Sequence, residues 1–318
     1  MPPLRIDIAQ RLVSERIRRR AALGPLRRLT VSKQTYRRYY EVVDFFLRYC
    51  ALWNFAVTSE DDLEEHIIWF LSCMWECGGP KSTGNYLVAG IQFFLGRRRR
   101  FPEAWRLLAT WAKHEMPYRV PPLPPIVLLA LADMARCQGL VGLAAILLMG
   151  FHGCLRTGEM LGIRRDHILV DNYGLGTLLL PDTKGGKRKG INEMVTITEG
   201  RIGRLLAYAS SQLLPGDLLF QGSPVQFRQW FASSLAALGI GDMGFQPYSI
   251  RRGGATHLLQ SGMTMDAILI RGRWEHARTA RIYLTEGRAE IIRMSFTPWQ
   301  QHVLATKSNN LLSVLGNI

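Results

Sequence analysis

Residues 248–259 read YSIRRGGATHLL, the pattern of a helix start that carries arginine. Ser249 belongs to the residue types that cap helix N-termini. The small residues that follow Arg252 would let another group approach the helix closely. Because a helix N-terminus beside arginine binds oxyanions well, the segment predicts a phosphate-binding position at Arg251. An ordinary helix start with solvated arginines is the alternative.

A second arginine stands at the end of an apolar run, where residues 153–159 read GCLRTGE. Arg156 directly follows a segment that should be buried, so its charge must be paired or must face a ligand. Glu159 lies three residues on, one helical turn away, and can orient the arginine. A purely structural Arg–Glu pair is the alternative.

A third segment, RGRWEHARTARIYL at 271–284, places Tyr283 nine residues after Trp274 and among several arginines. A lone tyrosine in such a position is most often a packing residue. Tyr283 becomes a candidate functional residue only when this segment is considered together with the two arginine segments above.

Taken together, the three segments resemble the tyrosine recombinases, the phage-integrase family that includes the Cre-like enzymes. The family's first motif, an arginine after an apolar helix and a glutamate three residues later, is matched by Arg156 and Glu159. Its second, His-x-x-Arg followed by Ala-Thr and paired leucines, is matched from Arg251 onward. Its third, Gly-His or Gly-Trp with a tyrosine nine residues later, is matched by Trp274 and Tyr283. The resemblance covers about residues 30–300.

The family's catalytic lysine lies in a β-hairpin between the first and second motifs. Lys184, in DTKGG at 182–186, falls in that interval, and Lys187 is the alternative. Two positions depart from the family pattern: Tyr248 replaces the motif histidine, and Arg273 replaces the usual glycine. Tyrosine can donate a hydrogen bond to phosphate, but it accepts a proton poorly at neutral pH, because its ordinary pKa is about 10.

The resemblance implies an enzyme that cuts and rejoins double-stranded DNA through a 3′-phosphotyrosyl link at Tyr283. Arg156 and Arg251 would neutralise the phosphorane, Lys184 would be the general acid, and no metal, cofactor or ATP is expected. Trp274 and Tyr248 would hold the phosphate and the nucleophile. A catalytically impaired DNA-binding derivative is the alternative. An RNA-binding or scaffold protein is a third class, but the sequence contains no motif that resembles a known RNA-binding module.

The predicted fold class is mainly α with a small β-hairpin or sheet, an α+β architecture. The proline-rich segment 117–125 cannot lie inside a helix and marks the main boundary. We expect four parts: a basic arm at 1–29, a helical core-binding (SAM-like) domain at 30–117, a tyrosine recombinase catalytic domain at 118–299, and a C-terminal tail at 300–318. Family members act as tetramers on DNA and lend a C-terminal helix to a neighbour. The tail at 300–318 could pack against a neighbouring subunit in this way, or it could fray or pack within its own chain.

Apolar periodicity and capping residues predict the elements that make up this organisation. Helices are expected to begin at Thr30 or Ser32, near Ser59, near Ser82 and at Glu103, and to span Ile126–Cys137 and Val141–Phe151, with strands at 178–181 and 194–197.

The chain has 318 residues and a net charge of +15, which favours a polyanionic partner. Hydrophobic residues make up 47 %, enough for a packed core, so global disorder is excluded.

Residues 1–38 hold 11 basic and two acidic residues, which indicates a DNA-backbone arm or a nuclear-import patch, with a solvated tail as the alternative. This arm and the Gly-Arg-Trp variant indicate a nuclear protein related to eukaryotic mobile-element enzymes. The arginines expected to contact DNA are Arg18, Arg19, Arg20, Arg97, Arg98, Arg99, Arg100, Arg252 and Arg273.

The five cysteines form no Cys-x-x-Cys pair, which indicates a reducing compartment and buried thiols rather than a disulfide framework or zinc. Residues 137–155 are uncharged but contain four glycines, so we expect a buried core helix and a turn rather than a membrane span.

Overall fold

The computed structural model describes residues 4–24, 26–96, 100–115, 118–181, 183, 185–186 and 191–316. The chain divides into two compact units, Met1–Tyr118 and Arg119–Ile318. The described residues form mostly α-helices and one small antiparallel sheet, which confirms the predicted fold class.

The first unit is helical and begins with a long basic helix inside the segment that the sequence analysis assigned to a basic arm. Its helices are α1 (Leu4–Leu23), α2 (Lys33–Leu52), α3 (Glu60–Glu76), α4 (Lys81–Leu95) and α5 (Pro102–His114). Two of the predicted starts carry side-chain caps: the Ser32 hydroxyl accepts from the Thr35 N–H at 3.1 Å, and Ser59 forms a capping box with Asp62. The core is lined by Phe46, Ile67, Phe70, Leu71 and Leu87, from α2, α3 and α4.

The second unit contains ten helices among the residues that the structure describes there. They are α6 (Pro125–Cys137), α7 (Val141–His152), α8 (Thr157–Leu161), α9 (Gly200–Ser211), α10 (Pro224–Ala237), α11 (Tyr248–Gln260), α12 (Met265–Gly272), α13 (Ala277–Arg281), α14 (Glu286–Ser295) and α15 (Pro298–Gly316). Helix α7 is buried along nearly its whole length, as expected for the uncharged run, and packs against α6. None of the described helices combines the length and the apolar character needed to cross a membrane.

The C-terminal segment packs within its own chain. Leu304, Leu311 and Leu315 on α15 are buried in the core of the second unit, and the helix lies against α6. Of the alternatives for the C-terminal tail, the described residues 300–316 thus show an intramolecular helix.

Three short strands form one antiparallel sheet in the order β1-β2-β3, with β1 at Ile168–Val170, β2 at Gly176–Leu180 and β3 at Glu193–Ile197. Leu178 pairs with Val195, so the two predicted strands are confirmed as a hairpin with boundaries shifted by one or two residues. The sequence analysis missed β1, because a three-residue strand is too short to show an alternation of apolar and polar residues.

Two glycines let α11 lie directly against its neighbours. A Cβ on Gly254 would lie 2.1 Å from the carbonyl oxygen of Phe151 in α7, and a Cβ on Gly253 would lie 2.1 Å from the carbonyl oxygen of Leu123. Any side chain at these positions would collide with backbone. This close packing sets the start of α11 beside the end of α7, and so brings Arg251 to the turn that carries Arg156.

Candidate active site

Arg156 is the N-cap of α8 and is held by the glutamate one turn later. The backbone N–H of Arg156 donates to Glu159 Oε2 at 2.8 Å, and its guanidinium Nη1 donates to Oε1 at 2.5 Å. The Arg156 side chain is 36 % exposed, whereas that of Glu159 is 7 % exposed. Burial lowers the pKa of Arg156, but the hydrogen bond and charge of Glu159 outweigh it and leave the pKa raised. Arg156 is therefore a permanently charged group fixed at the edge of the fold.

Arg251 is the most deeply placed cation of the site, with 1 % of its surface exposed. Its guanidinium donates to the carbonyl of Cys154 and, at 2.8 Å, to the carbonyl of Gly272. The same group lies 4.6 Å from the centroid of the Trp274 ring and 5.6 Å from that of Tyr283. Burial lowers the pKa of Arg251, and the positive charges of Arg156 and Arg273 lower it further. Arg251 thus connects the turn after α7, the end of α12 and the segment of Tyr283.

Tyr283 and Tyr248 face each other with their hydroxyl groups in hydrogen-bond contact. The Tyr283 ring also lies against Trp274, with centroids 4.9 Å apart. Its backbone is fixed as well, because the carbonyl accepts from the Thr256 hydroxyl at 3.1 Å. Burial raises the pKa of Tyr248, as do the hydrogen bond and charge of Tyr283, against the lowering effect of Arg251 and Arg156. Tyr248 is therefore a neutral phenol whose hydroxyl can donate a hydrogen bond to Tyr283 or accept one from it.

Arg273 stands in the left-handed region, with φ of 57°, as the C-cap of α12. Its side chain is 6 % exposed and forms ion pairs with two carboxylates, Glu159 Oε2 at 2.5 Å and Glu193 Oε2 at 3.2 Å. Burial raises the pKa of Glu159, but the charges of Arg273 and Arg156 outweigh it and leave the pKa below its usual range. The residue that departs from the family's glycine is therefore built into the carboxylate network behind Arg156.

The remaining predicted residues are distributed over both units. Arg18, Arg19, Arg20 and Arg100 are exposed in the first unit, and Arg19 pairs with Glu15 at 3.0 Å. Arg252 lies in the second unit and is 3 % exposed. The candidate general acids Lys184 and Lys187, together with Arg97, Arg98 and Arg99, lie outside the described residues. A cleft beside Arg156 is lined also by Arg164, His167, Leu180 and Thr183.

Sequence reasoning missed two parts of this neighbourhood. Glu193 lies inward with Val195 and Ile197 on β3, so its place on the buried face of an alternating strand was an available signal. His152 at the end of α7 accepts hydrogen bonds at Nε2 from the Thr198 N–H (3.3 Å) and from Arg271. Burial and the charge of Arg271 lower its pKa from 6.5 to about 4. No local sequence pattern marks that histidine.

The described residues hold no cluster of three or more His, Cys, Asp or Glu side chains that could bind a metal ion. The geometry instead offers two arginines, a tryptophan and two tyrosines around one position. Such a set can hold a phosphate by charge and by hydrogen bonds and can present a phenolic nucleophile to it.

No protein-family model matches this sequence, and no curated protein sequence does. Solved structures of recombinases do match the fold. The Tn1549 transposon integrase in complex with transposon right end DNA has a TM-score of 0.60 at 13 % identity, over 85 % of this chain and 96 % of that chain. The same integrase with circular intermediate DNA has a TM-score of 0.52 at 14 % identity, over 90 % and 99 %.

The XerH site-specific recombinase bound to palindromic difH substrate has a TM-score of 0.53 at 14 % identity, over 82 % of this chain and 79 % of that chain. At such identities the likeness is one of fold: this chain has the architecture of the core-binding and catalytic domains of recombinases.

Proposed function

We propose that this protein is a site-specific DNA recombinase or integrase that cuts and rejoins double-stranded DNA through a 3′-phosphotyrosyl link at Tyr283. One observation carries the proposal: the buried Arg251 lies on the rings of both Trp274 and Tyr283, the pair that the family resemblance singled out. The recombinase-like fold supports the same reading.

In the proposed reaction, Tyr283 Oη bonds to phosphorus while the bond from phosphorus to the 5′-oxygen breaks. The phenolic proton of Tyr283 passes to solvent water, and a proton reaches the 5′-oxygen, with Lys184, or else Lys187, as the donor. One phosphodiester is exchanged for another, so the energy of the broken bond is kept in the link to Tyr283. That link can then be attacked by a second 5′-hydroxyl. Arg251 and Arg156 neutralise the additional negative charge of the phosphorane.

The protein environment prepares these groups before DNA binds. Glu159 fixes Arg156 through two hydrogen bonds, and two backbone carbonyls fix Arg251. Preorganised donors of this kind are typically worth about a hundredfold or more in rate each. Tyr248 keeps the Tyr283 hydroxyl directed toward its own and so positions the nucleophile.

Covalent trapping tests the proposal. Nicked duplexes of random sequence, which lose the 5′-hydroxyl fragment after cleavage, should yield a protein–DNA adduct that survives denaturing electrophoresis. Tyr283→Phe should abolish the adduct and keep DNA binding, because only the hydroxyl is removed. An adduct that persists in Tyr283→Phe would overturn the assignment of the nucleophile.

A second candidate is a DNA-binding protein that has lost catalysis, and the Tyr248–Tyr283 contact is the observation that favours it. A phenol takes up a proton far less readily than imidazole near neutral pH. Binding of duplex DNA without an adduct in the wild type, and an adduct gained in Tyr248→His, would identify this case. Tyr248→Phe, which keeps the ring but removes the hydroxyl, is the matched control.

We extend the proposal to assembly and location. The protein forms a tetramer on DNA, with residues 1–29 as a basic arm that serves nuclear import or grips the DNA backbone, and it is related to eukaryotic mobile-element enzymes. The exposed Arg18, Arg19 and Arg20 on α1 support the function of the arm.

A further inference from the structure

Arg252 is a buried cation that forms no ion pair with a carboxylate among the described residues. It is 3 % exposed, and its Nε and Nη2 atoms are buried without a hydrogen-bond partner. A buried charge without a partner is costly, so its retention requires a reason, and a bound ion is one such reason.

The face of α11 that carries Arg252 meets the start of α14. Thr256 lies one turn after Arg252, and its hydroxyl accepts from the backbone N–H of Thr285 at 3.4 Å. Thr285 immediately precedes α14, and its own hydroxyl is also buried without a partner. Two independent buried donors therefore lie on one side of the α11–α14 contact.

Further positive charge borders the same place. Arg288, in the first turn of α14, donates from Nη1 to the carbonyl of Arg119 at 2.6 Å. Burial lowers the pKa of Arg252, and the charges of Arg288 and Arg119 lower it further. Glu286, the acidic residue in the first turn of α14, is exposed. The cluster thus concentrates positive charge around donors that nothing in the described chain satisfies.

We propose that Arg252, Arg288 and Arg119, with the Thr285 hydroxyl, form a second anion site that binds a DNA phosphate next to the one attacked by Tyr283. The inference rests on the proposed function, since it takes DNA as the source of the phosphate. The Thr256 hydroxyl donates to the carbonyl of Tyr283 and accepts from the backbone N–H of Thr285, and Thr256 lies one helical turn after Arg252, so the second site adjoins the nucleophile. Two neighbouring phosphates held in this way fix the direction of the strand at the point of cleavage.

The first experiment asks whether Arg252 serves the fold or a ligand. Thermal unfolding without DNA is compared for the wild type, Arg252→Met and Thr285→Val, which remove the unsatisfied donors and keep much of the side-chain volume. The melting temperature should stay unchanged or rise, because an unpaired buried charge or hydroxyl is removed. A drop of several degrees in both variants would show that these groups stabilise the fold, and would overturn the proposal.

The second experiment measures the dissociation constant for duplex DNA against salt concentration. Arg252→Met and Arg288→Gln should each weaken binding roughly tenfold and lower the slope of log K against log salt by about 0.9, the value for one phosphate contact. Arg293→Gln, the same charge change on the exposed side of α14, is the control and should leave the slope unchanged. Equal slopes in all variants, with the wild type binding DNA normally, would overturn the second site.

Two further readouts separate the possible outcomes. Inorganic phosphate that raises the melting temperature of the wild type but not of Arg252→Met, without any change in the DNA slopes, would identify a small phosphate ligand and overturn the DNA assignment. A wild type that binds DNA with the Arg252-dependent slope but forms no covalent adduct would retain the second site and contradict the proposed catalysis.

Discussion

Arg273 adopts a backbone conformation that glycine tolerates and other residues rarely do. That conformation costs of order 1 kcal/mol, and it places the Arg273 side chain in two ion pairs with carboxylates that are themselves almost fully buried. Without Arg273, Glu159 would keep Arg156 as its close partner, and Glu193 would lose its ion pair within the described part of the chain. Arg273, which stands in place of the family's glycine, therefore connects the C-terminus of α12 to Glu159 on α8 and to Glu193 on β3.

Arg273→Ala should lower the free energy of unfolding by about 3 kcal/mol, because it leaves a buried carboxylate uncompensated. Urea denaturation measures the change. Arg278→Ala, on the exposed surface of α13, should change stability by less than about 0.5 kcal/mol. Equal effects of the two substitutions would contradict the structural role of the Arg273 ion pairs.

His152 should make stability depend on pH over a defined window. Its pKa is about 4 in the folded chain against 6.5 for an ordinary histidine, so the unfolded chain binds more protons between these values. The contribution is fully present above pH 6.5 and is lost as the pH falls toward 4, to a total of about 3 kcal/mol.

Unfolding measured between pH 4 and pH 7 in wild type and His152→Asn isolates that contribution. The variant should show a shallower loss of stability on acidification, and His276→Asn, at an exposed position, should follow the wild type. Parallel curves for His152→Asn and wild type would contradict a neutral, buried imidazole.

At the level of single residues, the sequence predicted contacts that depend on local spacing. A glutamate three residues after Arg156 had to lie within reach, and the structure shows both hydrogen bonds. The contact of Tyr248 with Tyr283 joins residues 35 positions apart, and the pairing of Arg273 with Glu193 joins different elements. Such contacts follow from the tertiary packing and carry no local signal.

Helix α11 owes its position to the absence of side chains at Gly253 and Gly254. The carbonyl of Phe151 occupies the place of a Cβ on Gly254, so α11 and α7 touch backbone to backbone. This contact sets the distance between the helix that carries Arg251 and the turn that carries Arg156.

Gly254→Ala should therefore cost about 3 kcal/mol of stability and should also reduce covalent trapping, since α11 must move away from α7. Denaturant unfolding and the adduct assay measure the two effects. Gly287→Ala in α14, where a Cβ would meet nothing within 4 Å, should leave stability unchanged or raise it by up to about 1 kcal/mol. A Gly254→Ala variant as stable and active as the wild type would contradict the close packing.

Prediction at the level of elements succeeded where capping chemistry or long periodicity was present. Ser32 and Ser59 mark the starts of α2 and α3, and a buried apolar run gives α7. It failed for β1, with three residues, and it did not give α1, whose many arginines mask any apolar face. Short strands are specified by their partners more than by their own sequence.

The molecule as a whole combines a recombinase-like fold with an excess of positive charge. The net charge of +15 indicated a polyanion without specifying which one. The structure assigns different roles to the arginines: Arg251 and Arg273 are buried in contacts with carbonyls and carboxylates, whereas Arg18, Arg19 and Arg20 are exposed on α1. Only the exposed set is available for long-range attraction of DNA.

The chemistry we propose requires that the covalent link to DNA forms on Tyr283, although Tyr248 presents a second phenol in hydrogen-bond contact. Trypsin separates the two tyrosines, because Tyr283 lies in the peptide 282–288 and Tyr248 in the peptide 229–251. Mass spectrometry of nuclease-trimmed, trypsin-digested adducts therefore identifies the attacking residue directly. We predict the nucleotide mass on the peptide 282–288; a nucleotide mass on the peptide 229–251, or on neither, would contradict Tyr283 as the nucleophile.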